Sequence, residues 1–312
     1  MSTEASMRPA SKSRPDWWLY VVVFFLLIHA VFYVVPHAQP GKVGMVLWYI
    51  GVDRLIWPGL AFLLFLCALG WSLLRRPVVR RWRVIGLGLI ILLALSPLAF
   101  RAYPSSHNGN PSAVRFRVPM DGPIAVGWGG ATPSVNYHVL APDQRWAYDL
   151  LVAKDGESHA GEGEAVEDYY CYGLPVLAPA DGVVLSTHTE AEDMPVGQLG
   201  GWPPVGNHIV LEVAEDEYLF MCHLKPGSVV VEPGEQVVQG QVLAQVGNTG
   251  NTSEPHLHIH LQDTPDAFMG EGIPLYFHNY RVDGELVERG IPTGGVKGGK
   301  FAGQVIEHAD GT

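Results

Sequence analysis

The N-terminal third of the chain contains apolar runs long enough to cross a membrane. Residues 17–35 are apolar or aromatic at every position except His29. At 1.5 Å per residue, such a run spans a hydrocarbon core of ~30 Å. Two further runs cover about 56–74 and 84–100. A signal peptide has a shorter apolar run, followed by a small-residue cleavage site. The sequence therefore predicts about three transmembrane α-helices within residues 17–100.

The positive charges of this region are unevenly distributed and predict its orientation. The N-terminal tail has Arg8, Lys12 and Arg14, whereas the first loop has only Lys42 and Arg54. The second loop contains five arginines, at positions 75, 76, 80, 81 and 83. Cytoplasmic loops are enriched in Lys and Arg. We therefore expect residues 1–16 to be a cytoplasmic tail of a multi-pass protein of the inner or cytoplasmic membrane. Residues 101–312 would then lie outside the cytoplasm.

The remainder of the chain differs from the N-terminal third in charge and in pattern. Residues 101–312 contain 10 Lys+Arg and 28 Asp+Glu, a net charge of −18. Such an acidic body argues against a nucleic-acid partner. Short β-type runs alternate with Gly, Pro, Asn and Asp, and no long 3.6-residue period occurs. An all-β domain is expected, either a β-sandwich or a curled antiparallel sheet.

Composition also suggests boundaries within the exported part. We expect a polar linker at 101–119, the β domain at 120–265, and a C-terminal hairpin with a flexible Gly-rich end at 266–312. Two loops of the β domain look long, at 154–170 and 190–206, and long loops tend to flank binding clefts. Cys171 and Cys222 are expected to be buried, unpaired thiols, because sequence alone gives no reason to pair them.

Three alternating histidines form the most informative motif of the β domain. They are His256, His258 and His260, in the run PHLHIHL. Side chains alternate along a strand, so these imidazoles are expected on one face, and Leu257 and Ile259 on the other. Neutral imidazole is a good ligand for Zn²⁺, and a metal ion is the usual reason for collecting several imidazoles in one place.

Two other segments contribute polar side chains that are costly to bury alone. His223 follows the run YLFMC, and alternation predicts that it shares a face with Leu219 and Met221. Asp149 lies between apolar residues in RWAYDLL. A buried carboxylate is expensive unless it is paired or coordinates a metal.

The order of these motifs resembles the lysostaphin-like (LytM-type) zinc endopeptidase family. The resemblance runs over roughly residues 120–265 and combines Asp149, a PVLAPADG segment, NHIV, His223-Leu224, GNTG and the pair His256-x-His258. It implies a zinc ion held by Asp149, His258 and one further His. It also implies that His223 and His256 assist a zinc-activated water and the developing oxyanion. The separate zincin motif HExxH is absent.

One position departs from the family pattern. The family's first ligand is a His four residues before the Asp, and position 145 is Arg. His138 is our candidate substitute, because a hairpin of residues 135–140 and 145–150 would place it beside Asp149. His159, in the acidic loop, is the second candidate.

Two functions follow from the resemblance. The first is a membrane-anchored zinc metalloendopeptidase that acts outside the cytoplasm, on peptidoglycan peptide cross-links or another extracytoplasmic peptide. The second is an inactive lysostaphin-like domain that serves as a binding or regulatory module for cell-wall hydrolases. Arg145 supports the second function, whereas three imidazoles retained at one place support the first.

Overall fold

The structure, a computed structural model, describes residues 16–75 and 77–309. The predicted positive charges at Arg8, Lys12, Arg14 and Arg76 lie outside the described residues. The chain divides into two compact units. Of the described residues, a helical unit contains 16–35 and 49–100, and a β unit contains Pro36–Trp48 and 101–309.

Four α-helices precede the β structure. They are α1 (Trp18–Ala38), α2 (Lys42–Val52), α3 (Ile56–Leu73) and α4 (Arg81–Leu95), and a 3-10 helix at Ser96–Ala99 extends α4. The prediction of three apolar helices is confirmed, since the segments Trp18–Ala38, Ile56–Leu73 and Arg81–Ala99 are long and apolar enough to cross a membrane. Helix α2 was not predicted, because its eleven residues are too few to cross a membrane.

The helical unit is organised around α1, α3 and α4. Their shared core contains Trp18, Trp57, Leu64, Ile90 and Leu93. Asp16, just before α1, forms a 3.1 Å ion pair with Arg83 in the first turn of α4. At the other end, Tyr33 of α1 packs against Phe100, which follows α4. Helices α1 and α4 therefore run in the same direction, as an in-out-in-out path through three spans requires.

The β unit is built on one ten-stranded sheet, which confirms the predicted all-β, antiparallel domain. In spatial order its strands are β11-β10-β14-β1-β2-β9-β6-β5-β4-β7. Every strand pair in this sheet is antiparallel. Two further two-stranded sheets, β3-β8 and β12-β13, complete the unit. The strand bounds are β1 Ile124–Trp128, β2 Tyr148–Leu151, β3 Pro175–Leu177, β4 Gly182–His188, β5 His208–Ala214, β6 Glu217–Cys222, β7 Gln236–Val237, β8 Val242–Gln245, β9 Leu257–Gln262, β10 Phe277–Val282, β11 Glu285–Gly290, β12 Val296–Lys297, β13 Lys300–Phe301 and β14 Val305–His308.

Strand alternation gives the sheet an apolar face and a polar face at its centre. Leu257, Ile259 and Leu261 of β9 join the main core, with Leu219 and Met221 of the adjacent β6. His258 and His260 therefore point to the opposite face, as the two-residue period predicts.

The structure differs from the predicted domain boundaries at both ends of the β unit. Phe116 and Val118 of the expected linker are fully buried in the core. The expected hairpin near the C-terminus is β10–β11, but the segment after it is not a free end. Strand β14 pairs with β1 and β10, so the chain returns into the sheet after its glycine-rich turns.

The predicted hairpin around His138 is wrong. Residues Tyr137–Leu140 form a 3-10 helix, and β2 pairs instead with β1 and β9. Asn136 starts the 3-10 helix, because its side chain accepts a hydrogen bond from the backbone N–H of His138. Pro142 follows shortly after, and the chain turns back to enter β2.

Candidate metal centre

The predicted site residues meet where β2, β9 and β6 lie side by side. Asp149 of β2 is the register partner of His258 on β9, and His258 is in turn the partner of Cys222 at the end of β6. His223 follows β6 directly, and His256 directly precedes β9. Three neighbouring strands thus deliver one carboxylate and three imidazoles to a single place.

Asp149 is the centre of this cluster and is only 4% exposed. Its Oδ1 lies 2.9 Å from Nδ1 of His258 and 3.5 Å from Nε2 of His256. Its Oδ2 lies 3.6 Å from Nε2 of His138 and accepts a 3.1 Å hydrogen bond from the Tyr137 hydroxyl. The structure therefore brings His138, His256 and His258 around the Asp149 carboxylate.

His223 reaches the cluster through an unusual backbone conformation. Its φ is +62°, in the left-handed region that few residues other than glycine adopt. This turn ends the alternation of β6, so the expectation that His223 shares a face with Leu219 and Met221 is wrong. The ring instead packs 4.9 Å from that of His256, between centroids. Nδ1 of His223 lies 2.8 Å from the carbonyl oxygen of Thr249, within the predicted GNTG turn.

Backbone carbonyls fix the protonated nitrogen of two of these histidines. Nδ1 of His223 faces the Thr249 carbonyl, and Nδ1 of His256 faces the Glu254 carbonyl at 2.8 Å. A carbonyl oxygen can only accept, so both Nδ1 atoms carry a proton, and in a neutral ring Nε2 then has a free lone pair. Nε2 of His256 faces Oδ1 of Asp149 at 3.5 Å. A neutral His256 would direct its lone pair at this buried anion and repel it unless a proton or a metal cation lay between them.

The residues present fit a zinc ion. Two overlapping groups of residues could hold a metal ion, and within each group the potential ligand atoms lie within 4.8 Å of one another. One group is His138, Asp149 and His258, and the other is His223, His256 and His258. Tetrahedral zinc with bonds of 2.0–2.1 Å separates its ligand atoms by about 3.3 Å. Among the proposed ligands, the 3.6 Å separation of His138 and Asp149 is close to that spacing, and the 2.9 Å separation of His258 and Asp149 is shorter. Nitrogen and carboxylate donors are also the set that zinc prefers.

The electrostatics of the cluster keep it ready for a cation. Burial opposes ionisation of Asp149, but its histidine neighbours, His138 and His256 foremost, keep the pKa of its carboxyl well below the usual range. Burial lowers the pKa of His138 to about 3, and it also lowers the pKa of His223 well below 6.5. Burial opposes charge on His256 as well, but the Asp149 carboxylate outweighs it and raises the pKa of His256. Near pH 7 the carboxylate is ionised while His138 and His223 remain neutral, which is the state that binds a metal.

Arg145 and His159 lie outside the cluster. The guanidinium of Arg145 donates to the carbonyls of Tyr103 and Ala131, at 3.0 Å and 3.2 Å. Among the described residues, His159 belongs to neither group of potential ligands around Asp149. It is half-buried and packs against Tyr169, at 5.2 Å between ring centroids. Of the two candidate substitutes, only His138 approaches the carboxylate.

A groove opens beside two of the clustered histidines. A cavity of about 620 Å³ is lined by Asp149, His223 and His256, whereas His138 and His258 line a second, smaller pocket. Both long loops contribute to its walls, through Glu157, His159 and Leu199. The expectation that these loops flank a cleft therefore agrees with the structure.

Sequence reasoning missed two parts of the site. Tyr137, whose hydroxyl contacts Asp149, had no signal beyond its position beside His138. Val296 and Phe301 of the β12–β13 hairpin also line the groove. They lie in the Gly-rich segment that was expected to be flexible, and the tight Gly298-Gly299 turn was the available signal for a hairpin there.

Comparison with known proteins finds a family match within the β unit. Residues 164–269 match the model of peptidase family M23. This segment includes His223, His256 and His258, whereas His138 and Asp149 lie before it. Over 105 residues the chain is 30% identical to the peptidoglycan DD-endopeptidase ShyA of Vibrio cholerae, covering 33% of this chain and 21% of that protein. It is 31% identical over 93 residues to the cell division protein DipM of Caulobacter vibrioides, covering 30% and 13%. The chain therefore spans about a fifth or less of these relatives.

Two solved structures align with part of this chain. The catalytic domain of lysostaphin from Staphylococcus simulans aligns with a TM-score of 0.28 and 19% identity, covering 48% of this chain and 86% of that one. A zinc-containing peptidase from Vibrio cholerae aligns with a TM-score of 0.31 and 22% identity, covering 53% and 41%.

Proposed function

We propose that the chain is a membrane-anchored zinc metalloendopeptidase, on the premise that residues 164–269, which match the model of peptidase family M23, form part of its peptidase domain. The observation that supports this most strongly is the convergence of Asp149 with four imidazoles, two of which, His223 and His256, line an open groove together with the carboxylate.

His138, Asp149 and His258 would hold the zinc ion. Their ligand atoms lie within 4.8 Å of one another. Each of the three residues is at most 5% exposed, so they are already removed from water before a metal ion binds. When bound, zinc supplies Lewis acidity, which lowers the pKa of water to about 7 and polarises a carbonyl group. His138 would thus supply the ligand that the family pattern has at position 145, where this chain has Arg.

His223 and His256 would serve the reacting groups. Both rings line the groove, and both keep Nδ1 on a backbone carbonyl so that Nε2 is the atom available to a substrate. Nε2 can accept a proton from an attacking water and later return it to the leaving amine. A protonated Nε2 can also donate to a developing oxyanion. These two carbonyl contacts fix which atom performs either role.

The proposed substrate is a peptide cross-link of peptidoglycan. One relative is named a peptidoglycan DD-endopeptidase, and the groove is open enough for an extended peptide. The arginine-rich second loop supports a cytoplasmic location for that loop, and hence an extracytoplasmic location for the β unit.

The test is hydrolysis by the full-length chain in detergent. Zinc-loaded protein is expected to cleave cross-linked muropeptides, detected by mass spectrometry, while His258→Ala is expected to reduce cleavage to the uncatalysed background. His208→Ala, which removes a histidine outside the cluster, is the matched control and should retain activity. Wild-type protein that binds zinc but cuts no muropeptide would contradict the substrate. Wild-type protein that binds muropeptides without zinc would favour the alternative binding or regulatory module.

A further inference from the structure

We propose that two buried side-chain amides, Asn136 and Gln262, are positioning residues that select the metal-binding tautomer of His138 and His258. The inference rests on the proposed zinc site and concerns residues that do not contact the ion. Each amide is 0% exposed. Neither has a role in the site as described so far.

The orientation of the Asn136 amide is fixed by its surroundings. Its Nδ2 donates to two backbone carbonyls, those of Gly130 at 2.9 Å and Ala147 at 3.0 Å. A rotated amide would place Oδ1 against both carbonyls, which cannot donate. Oδ1 must therefore face the other way, where it lies 2.9 Å from Nδ1 of His138. Because this oxygen only accepts, Nδ1 of His138 carries the proton, and Nε2 keeps its lone pair toward Asp149.

Gln262 acts in the same way, but on His258 through the intervening ring of His260. Its Nε2 donates to the carbonyls of Thr264 at 2.7 Å and Asp266 at 2.9 Å, so its Oε1 is directed at His260. Oε1 lies 3.3 Å from Nε2 of His260, which must therefore carry a proton. In the neutral ring, Nδ1 of His260 is then an acceptor.

His260 passes this constraint to His258. Nδ1 of His260 lies 3.0 Å from Nε2 of His258, so Nε2 of His258 is the donor. In the zinc-bound site, that would leave Nδ1 of His258 as the coordinating nitrogen. The same atom lies 2.9 Å from Oδ1 of Asp149, which also only accepts, so two neutral rings supply two protons to three contacts, and the ion would take the place of the third proton. The His260 ring is held in place by stacking on Phe220, at 4.8 Å and 9° between ring planes. Residues that orient metal ligands in this way typically change metal affinity 10–100-fold.

Two nearly isosteric substitutions at position 260 separate the hydrogen bond from packing. Asn keeps an acceptor near the position of Nδ1, whereas Leu has a similar shape and no acceptor. In the full-length chain, His260→Leu is expected to weaken zinc binding 10–100-fold, measured by competition with a chromophoric chelator. His260→Asn is expected to stay within about threefold of wild type, since it still accepts from His258.

The matched control is the same pair of substitutions at His208, which lies near the same Phe220 ring at 6.4 Å but outside the metal cluster. Both His208 variants should bind zinc like wild type. Equal zinc affinity of His260→Leu and wild type, or an equal loss in His260→Asn and His260→Leu, would overturn the role of His260 and Gln262.

A second measurement tests the Asn136 half without metal. In ¹⁵N spectra of the zinc-free, histidine-labelled chain, His138 is expected to be protonated at Nδ1. A His138 protonated at Nε2 would overturn this half of the inference, even if every His260 variant failed to fold. A wild-type chain that binds no zinc, yet shows the Nδ1 proton on His138, would contradict the proposed function and leave the orientation of Asn136 intact.

Discussion

At the scale of single residues, the site depends on which atom each side chain presents. Asp149 is buried and its neighbours hold the pKa of its carboxyl low, while backbone carbonyls fix the proton on Nδ1 of His223 and of His256. The H-x-H pair, His223 and Asp149 could be chosen from sequence because burial of such groups is costly without a partner. The contact of His138 could not be derived correctly, since the expected hairpin is a 3-10 helix whose position depends on contacts far along the chain.

Substitution of His138 tests its role as the substitute ligand. His138→Asn is expected to weaken zinc binding about 100-fold or more, because one of three protein ligands is lost. His159→Asn removes the other candidate and should leave the affinity unchanged, since that ring packs on Tyr169. Zinc titration of the two variants gives the comparison. The reverse order of affinities would transfer the ligand role to His159.

The thiol of Cys171 provides a pH-dependent prediction. Burial raises the pKa of Cys171 from 9.0 to about 12, and the thiol donates to the Pro255 carbonyl, just before His256. Above pH 9 an unfolded chain loses this proton, whereas the folded chain retains it. The free energy of unfolding should therefore fall between pH 9 and pH 12, by up to about 1.4 kcal/mol per pH unit from this group.

The measurement is chemical denaturation across that pH range. Cys171→Ala should show a shallower decline than wild type, because its unfolded state has one proton fewer to lose. In the folded protein, Cys171 should also resist thiol reagents at pH 9. Rapid modification of folded Cys171 at that pH would contradict its placement in the core.

At the scale of secondary-structure elements, the periodicity of the sequence predicted which face of a strand a side chain lies on, but not where the chain turns. The two-residue period correctly separates Leu257 and Ile259 from His258 on β9, because a strand's geometry is local. The same rule fails one residue after β6, where the positive φ of His223 reverses the side chain's direction. Neither this turn nor the return of β14 to the sheet has a local sequence signal, since both depend on long-range pairing.

Close packing of α1 against α4 gives a prediction for the helical unit. A Cβ atom at Gly86 would lie 2.4 Å from ring atoms of Trp18, whereas one at Gly88 would meet nothing within 4 Å. Small residues allow such close approach of membrane helices. Gly86→Leu is therefore expected to lower the thermal stability of the detergent-solubilised chain, and Gly88→Leu is the matched control. Similar melting temperatures for the two variants would contradict this packing.

At the scale of the whole molecule, the central proposal is that the spans place the β unit outside the cytoplasm. The positive charge of the second loop favours this orientation, and one of its arginines also makes contacts within the helical unit. Arg83 pairs with Asp16 and donates to the carbonyls of Pro77 and Val78. The loop is therefore held against the start of α1, on one side of the membrane.

Cysteine labelling tests that orientation. A Cys67→Ser chain with Thr189→Cys in the β unit should react with a membrane-impermeant maleimide in spheroplasts. The same background with Val79→Cys, in the arginine-rich loop, should react only after the membrane is opened. Both positions are exposed in the structure, so accessibility of the side chain itself is matched. Labelling of position 79 alone in intact spheroplasts would reverse the proposed topology.

The most direct measurement is the metal content of the purified full-length chain. The account predicts one zinc ion per wild-type chain by elemental analysis, and a large loss of bound zinc in Asp149→Ala and in His258→Ala. Because these side chains are close together but come from β2 and β9, loss in both variants would show that the two strands serve one ion. A wild-type chain that takes up no zinc, or an Asp149→Ala chain that retains it in full, would contradict the account.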